Sequence, residues 1–306
     1  MKILSAADVA RLSPYPALIE ALRDGFRQDI VTPVRHHHDT SAVATLLLMP
    51  AWSKEFTGLK TVVVKTNNAA RGLPTITASY LLIDNDTGAT VAMMDGTELT
   101  RRRTACASAL AASYLAREDA STLALIGTGA LAAHFVRAHA ALRPIKRIFL
   151  YNRSPAKAET VARDLARDGF EPRIVSDPEY AVRKADIVSC VTTSTKAIVR
   201  GEWLKPGTHV DLAGAFKPQM REVDAETVAR ARVYVDTRDG AEAEAGDLIQ
   251  ARDEGRFDFA AVQGDLFDLC RGKVDGRRNA EEVTLFKSCG TALEDLAAAG
   301  LIYRGA

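Results

Sequence analysis

Leu123-Ala124-Leu125-Ile126-Gly127-Thr128-Gly129-Ala130-Leu131-Ala132 is the stretch from which the fold is read. A short apolar run, strand-like rather than helical, gives way to a GxGxxA pattern and then to the amphipathic segment GALAAHFVRAHAAL, Gly129–Leu142. A buried strand that turns on glycines into a helix is a way of holding a dinucleotide's pyrophosphate. Gly127 takes the tight turn, Gly129 lets the backbone approach the phosphates, and Ala132 keeps the helix close to the strand. Thr128, Ala130 and Leu131 complete the loop, whose helix N-terminus faces the negative charge. The pattern alone also fits a glycine-rich turn that only packs, but its setting between strand and helix favours the binding reading.

Downstream, RIFLYN (Arg147–Asn152) reads as a second strand and AKAETVARDLARDG (Ala156–Gly169) as a helix closed by Gly169. RIV, DIVSCV, THVDLAG and ARVYVD are further strand candidates. Strands alternating with helices of about 10–15 residues imply right-handed crossovers and a parallel sheet. Residues 117–287 are therefore predicted as a doubly wound α/β domain. The second strand ends in Asn152-Arg153-Ser154. NAD enzymes commonly place an acidic residue here to grip the ribose 2′-OH. A carboxylate would repel a 2′-phosphate, whereas Arg153 would pair with it and Ser154 could donate a hydrogen bond. NADPH is thus expected in preference to NADH. A solvated loop arginine is the plainer alternative for Arg153, and Lys157 is a weaker helper, since a first-turn helix lysine is more often just exposed.

Upstream the rhythm differs. Residues 5–29 carry helical spacing around Pro14 and Pro16, and Thr45–Met49, Leu59–Lys65 and Ile76–Asp84 are strand-like. Asn85-Asp86-Thr87-Gly88 is a turn between apolar runs, so 76–94 is predicted as a hairpin, followed by an Ala-rich helix from Glu98 to Ala116. Ser288–Ala299 reads as a final helix that could pack back onto this α+β portion. The expected organisation is one domain from 1–116 and 288–306 and a second from 117–287. Arg35, Lys60 and Arg103 sit at the edges of apolar elements. Such cations are usually snorkelling surface groups; converging, they would make a carboxylate clamp. His36-His37-His38 invites a metal reading, but three consecutive side chains cannot all point one way on a strand, and a solvated or partly packed loop is expected instead.

Composition narrows the function classes. The 306 residues carry 40 Lys+Arg against 39 Asp+Glu, so the net charge of +1 gives no electrostatic case for nucleic acid or an anionic membrane. No stretch reaches the roughly 20 apolar residues of a membrane span, and Met1–Leu12 lacks a signal peptide's apolar core. Cys106, Cys190, Cys270 and Cys289 form no CxxC pair. Reduced thiols in a cytoplasmic enzyme are expected, with no zinc site.

GLKTVVVKTNNAARGLPT (Gly58–Thr75), LLIDNDTGATVAMMDGTELTRRRTACASALAA (Leu81–Ala112) and the GxGxxA loop together resemble the ornithine cyclodeaminase/mu-crystallin family. GEWLKPGTHVDLAGAFKPQMREVD, VDTRDGAEAEAGDL and VTLFKSCGTALEDLAAAGLIY fit the same pattern in order. The resemblance implies a homodimer with a Rossmann domain set between the parts of a substrate-binding domain. It implies that the substrate-carboxylate arginine is Arg35, the active-site lysine of the Gly-x-Lys pattern is Lys60, and the second arginine, in Arg-Thr-Ala, is Arg103. It further implies that Thr75 and Cys289 line the substrate pocket, that Thr192 and Thr193 lie near the nicotinamide, and that Ala213-Gly214 ends the following strand.

Ornithine cyclodeaminases carry an Asp just after this glycine, whereas here the run is Gly214-Ala215-Phe216. An aromatic ring cannot shuttle a proton as a carboxylate does. The variant resembles the branch that reduces cyclic ketimine acids, Δ1-pyrroline-2-carboxylate to L-proline or Δ1-piperideine-2-carboxylate to L-pipecolate, with Lys60 as the candidate proton donor. The alternatives are ornithine cyclodeaminase, alanine dehydrogenase, or a non-catalytic mu-crystallin-like binding protein. A cluster of buried cations is also expected to hold an anion or stay wet.

Overall fold

Along Phe56–Lys65 side chains alternate between buried and part-exposed, the period that a sheet with one covered face imposes. The computed structural model describes residues 1–68 and 70–306, in two units: Met1–Thr104 with Thr291–Ala306, and Ala105–Gly290. The first runs β1 (Lys2–Leu4), α1 (Ala6–Leu12), α2 (Tyr15–Arg27), β2 (His36–Ser41), β3 (Ala44–Trp52), β4 (Phe56–Lys65), β5 (Ile76–Asp84), β6 (Thr90–Asp95) and the start of α3 (Gly96–Leu115). The helical start is two helices rather than one. Ser5 caps α1 in a reciprocal capping box with Asp8, and Pro14 precedes α2.

The sheet order is β1-β6-β5-β4-β3-β2, antiparallel except for β1 on β6. The hairpin β5–β6 turns at Gly88, whose φ of +69° suits glycine. The closing helix, Ala292–Gly305, lies against α2, β3, β4 and β5. It begins at Ala292 rather than Ser288, with Thr291 accepting the Leu293 N–H as its cap. His36–His38 form part of the edge strand β2 instead of a loop, pairing His36 with Leu48 and His38 with Leu46. The long ladder of β3 supplies the partner that local sequence does not announce. All three histidines are exposed, and no cluster among the described residues is placed to hold a metal.

The second unit continues from α3 through β7 (Thr122–Ile126), α4 (Ala132–Ala140), β8 (Arg147–Tyr151), α5 (Pro155–Ala166), β9 (Arg173–Val175), α6 (Pro178–Lys184) and β10 (Ile187–Cys190). It then runs through β11 (His209–Leu212), α7 (Ala225–Arg230), β12 (Arg232–Val235), α8 (Arg238–Glu244), α9 (Gly246–Asp253), β13 (Gly264–Asp265), α10 (Leu266–Cys270) and β14 (Thr284–Lys287). Every pairing is parallel, in the order β13-β12-β14-β11-β10-β7-β8-β9. β7, β10, β11 and β14 are buried throughout, as strands covered on both faces must be. The units part inside α3, at 104/105, and again at 290/291, rather than at the expected 116/117 and 287/288.

Candidate functional site

In the Ala105–Gly290 unit the strand order reverses beside β7. β8 and β9 extend to one side of it, and β10, β11 and β14 to the other. Ligands in open α/β sheets bind outside the carboxyl ends of strands at such a switch point. Gly127 follows β7 with φ +102°, and its N–H donates to Tyr151 O at 2.9 Å. A Cβ there would fall 2.8 Å from Thr192 Cγ2 and 2.9 Å from Val191 O, so only glycine closes this turn. A Cβ on Gly129 would meet nothing within 4 Å. The same loop is thus closed on the protein side and open on the other, the cradle a pyrophosphate requires. The first residues of α4 lie beyond Leu131 with no side-chain cap, leaving that helix start to a ligand or solvent.

Asn152 Nδ2 donates to the buried Thr128 Oγ1 at 2.8 Å, so this asparagine braces the glycine loop. Arg153 and Lys157 are exposed, Ala130 is exposed, and Ser154 heads α5 without using its hydroxyl as a cap. Thr192 is half-buried and Thr193 exposed in the loop after β10, and Ala213 and Gly214 are buried after β11. Phe216 keeps 37% of its surface exposed. Cys289 belongs to this unit and not to the one holding Lys60 and Arg103; its N–H donates to Asp236 Oδ2 at 2.6 Å. Asp236 pins the whole Ser288-Cys289-Gly290 turn, which falls in this unit.

The other unit gathers charge. Phe56, Gly58, Lys60 and Val62 are the buried residues of β4, pointing to the face that the closing helix covers. A Cβ on Gly58 would lie 1.8 Å from the Tyr80 hydroxyl, so the glycine of Gly58-Leu59-Lys60 makes room for a tyrosine paired across from Lys60. Lys60 is 1% exposed and its Nζ lies 2.6 Å from Asp295 Oδ2. Arg103, 5% exposed on α3, places Nε 3.0 Å from Asp295 Oδ1 and bonds Glu294 through Nη1. One carboxylate therefore joins two of the three expected cations. Arg35 is half-buried and acts electrostatically on Lys60. Thr75 is half-buried ahead of β5, its carbonyl accepting from Lys65 N at 2.7 Å.

Burial pushes the Lys60 ammonium down to about 8; Arg103 pushes the same way, and Asp295 opposes them. Burial and then Asp295 push the Tyr80 phenol up, and its hydroxyl has no hydrogen-bond partner among the described residues. Glu294 and Asp295 escaped the sequence reading. Two acids in the first turn of the apolar run ALEDLAAAGLI were the available signal, since fully buried carboxylates need partners. They also correct the expectation of an anion-seeking cluster: the charges of Lys60 and Arg103 are balanced within the chain by these two carboxylates.

A family model described as the ornithine cyclodeaminase/mu-crystallin family matches residues 1–306. The Δ1-pyrroline-2-carboxylate reductase of Paracoccus denitrificans is 38% identical, over 99% of this chain and 96% of its own length. The structure of Thermococcus litoralis Δ1-pyrroline-2-carboxylate reductase in complex with NADH and L-proline superposes with a TM-score of 0.95 at 33% identity, covering 100% of this chain and 97% of that one. An archaeal alanine dehydrogenase dimer with bound NAD superposes with a TM-score of 0.93 at 29% identity, covering 100% and 95%. With a two-unit α/β fold of this topology and a match over its entire length, the chain belongs to the ornithine cyclodeaminase/mu-crystallin family.

Proposed function

We propose that this protein is an NAD(P)H-dependent reductase of cyclic ketimine acids, converting Δ1-pyrroline-2-carboxylate to L-proline or its six-membered homologue to L-pipecolate. The observation that carries this reading is the buried array of Lys60 and Arg103 on Asp295. Glu294 and Asp295 cancel the two cations, and Arg35 adds a positive charge that a single substrate carboxylate would answer. Similarity to the Paracoccus and Thermococcus reductases supports the substrate class. Phe216, where cyclodeaminases carry an acid, removes the proton carrier that ornithine chemistry needs.

In this reading a bound reduced nicotinamide supplies the hydride. Arg35 and Arg103 bind and orient the substrate carboxylate, Arg103 with its guanidinium plane fixed by Glu294 and Asp295. Lys60, with a pKa near 8, holds a proton that it can give up to the imine nitrogen at neutral pH. Thr75 contributes to the substrate's surroundings. NADPH is preferred over NADH because Asn152 stands where an acidic residue would repel a 2′-phosphate, and Arg153 and Ser154 follow it as partners for that group, with Lys157 as a second cation. Met1–Thr104 with the closing helix serves as the substrate-binding and dimerisation domain, and Ala105–Gly290 as the dinucleotide domain.

A second copy of the chain would cover the sheet face opposite the closing helix, where Ile3, Trp52, Val63 and Met93 are 75%, 39%, 39% and 39% exposed. The alanine dehydrogenase relative is a dimer. No helix among the described residues is long and apolar enough to cross a membrane. Four cysteines, none of them in a disulfide, fit a reducing, cytoplasmic setting. The test is to incubate the protein with NADPH and Δ1-pyrroline-2-carboxylate and follow the reduced cofactor's absorbance, with ornithine plus NAD and pyruvate plus ammonia as controls. Cofactor oxidation with L-proline as product is expected. Turnover of a control substrate with an inert ketimine would overturn the reading.

A further inference from the structure

Glu222 is fully buried between β11 and α7. Its carboxylate accepts three backbone N–H groups from two separate loops. Oε1 accepts from Thr192 N at 2.6 Å, after β10; Oε2 accepts from Gly214 N at 2.7 Å and Ala215 N at 3.2 Å, after β11. Hydrogen bonds to an ionised acceptor are the stronger kind, and a dry interior strengthens them further.

The glutamate is itself held in place. Its N–H donates to Asp247 Oδ1 at 2.6 Å, and its carbonyl accepts from Ile198 N and Val199 N at 2.8 and 3.1 Å. The other oxygen of Asp247, on α9, lies 3.4 Å from Lys287 Nζ on β14, and both residues are wholly buried. Burial pushes the Glu222 carboxyl up to about 7, against the pull of the Lys287 ammonium. Gly214 records how closely the loops meet: a Cβ there would fall 2.0 Å from Thr192 O and 2.3 Å from Glu222 Oε1.

The position of this bridge bears on ligand binding. The glycine cradle follows β7, and Asn152-Arg153-Ser154 follows β8 on one side of it. A dinucleotide with its pyrophosphate on the cradle and its 2′-substituted ribose over β8 must extend its other half across β10 and β11. We propose that Glu222 is the positioning residue for the nicotinamide half of the dinucleotide, tying the Thr192 loop to the Gly214-Ala215 loop so that both present a fixed edge to the ring. This rests on the dinucleotide reading given above.

Glu222→Gln keeps the shape but offers one oxygen to donors that now use two, and turns an N–H₂ towards one of the loops. NADPH and 2′-phospho-ADP-ribose, which lacks the nicotinamide, are titrated into the full-length protein by fluorescence and calorimetry. The Kd for NADPH is expected to rise about tenfold while that for 2′-phospho-ADP-ribose stays within about twofold. A merely structural role would weaken both equally. Equal weakening, or an unchanged NADPH affinity, overturns the proposal. Should the glutamine variant fail to fold, Glu222→Asp, charged but a methylene short of spanning both loops, is expected to give the same split. Wild-type protein that binds neither probe, nor NADH and ADP-ribose, overturns the dinucleotide reading and this proposal with it. Wild-type binding without the split overturns this proposal alone.

Discussion

The carboxylates that hold loops and those that hold cations serve different partners. In Ala105–Gly290 three buried acids accept backbone N–H groups: Glu222 from Thr192, Gly214 and Ala215, Asp236 from Cys289 and Gly290, and Asp247, which also pairs with Lys287, from Glu222 and Val223. In the other unit they accept side-chain cations: Asp295 holds Lys60 and Arg103, and Glu294 holds Arg103. Backbone amides do not titrate and, proline aside, do not depend on the side chain, so the first arrangement sets the shape of loops. The second holds groups that titrate and exchange partners. A crevice made by shape and a grip made by charge should fail in different ways.

The widest break is expected from Lys60→Ala or Arg103→Ala. Either should cut kcat/KM for Δ1-pyrroline-2-carboxylate about 10²–10³-fold, the usual loss for a preorganised electrostatic donor, with the NADPH Kd within about twofold of wild type. A parallel loss of NADPH affinity would erase the distinction between the two regions. Asp295→Asn should come next. Removing one partner of a buried ion pair costs about 3–5 kcal/mol, which urea unfolding would register. Because Asp295 opposes the fall of the Lys60 pKa, the alkaline limb of the pH profile should also move to lower pH in this variant.

Two glycines sharpen the shape side. Gly127→Ala places a side chain at φ +102° and against Thr192, which should cost about 1–3 kcal/mol and lower Tm. Gly129→Ala adds a Cβ that meets no protein atom within 4 Å, so Tm should hold, while the NADPH KM should rise about tenfold if the pyrophosphate lies against this loop. A matched fall in Tm for both variants would make the loop a packing turn and nothing more.

pH tests the charge side. If protonated Lys60 is required, kcat/KM should fall about tenfold per pH unit above about 8, and any activity left in Lys60→Arg should lack that limb. Stability runs the other way. Folding lowers the Lys60 pKa, so the unfolded chain holds the extra proton between about 8 and 10.5, and this group's contribution to stability rises with pH across that window. The smallest effect is expected at the exposed Arg153: Arg153→Ala should raise the NADPH KM about fivefold and leave that for NADH unchanged, as suits a solvent-screened contact. Equal changes for the two cofactors would remove Arg153 from the 2′-phosphate.

Legibility followed sequence distance. The strand, glycine loop and helix of 122–140 lie within one short stretch, so local chemistry announced them. β14 did not announce itself: Thr-Leu-Phe-Lys is four residues ending in a lysine, yet it lies inside the sheet between β11 and β12. Lys287 is tolerated there because Asp247 comes to it from α9. Nothing in the local sequence singles out Glu222, since its partners at 192 and 214 are set by the strand order.

From sequence alone came the alternation of strands and helices, the turn that only glycine can make at 127, and the set of cations available for an acid. Periodicity, φ preference and residue charge are local properties and need no folded context. Tertiary structure alone decided that Asp295 and Glu294 would neutralise Lys60 and Arg103, and that Glu222 would bridge two loops. Those pairings join residues far apart in the chain, and a buried charge is stable only where the fold delivers its counter-charge or donor.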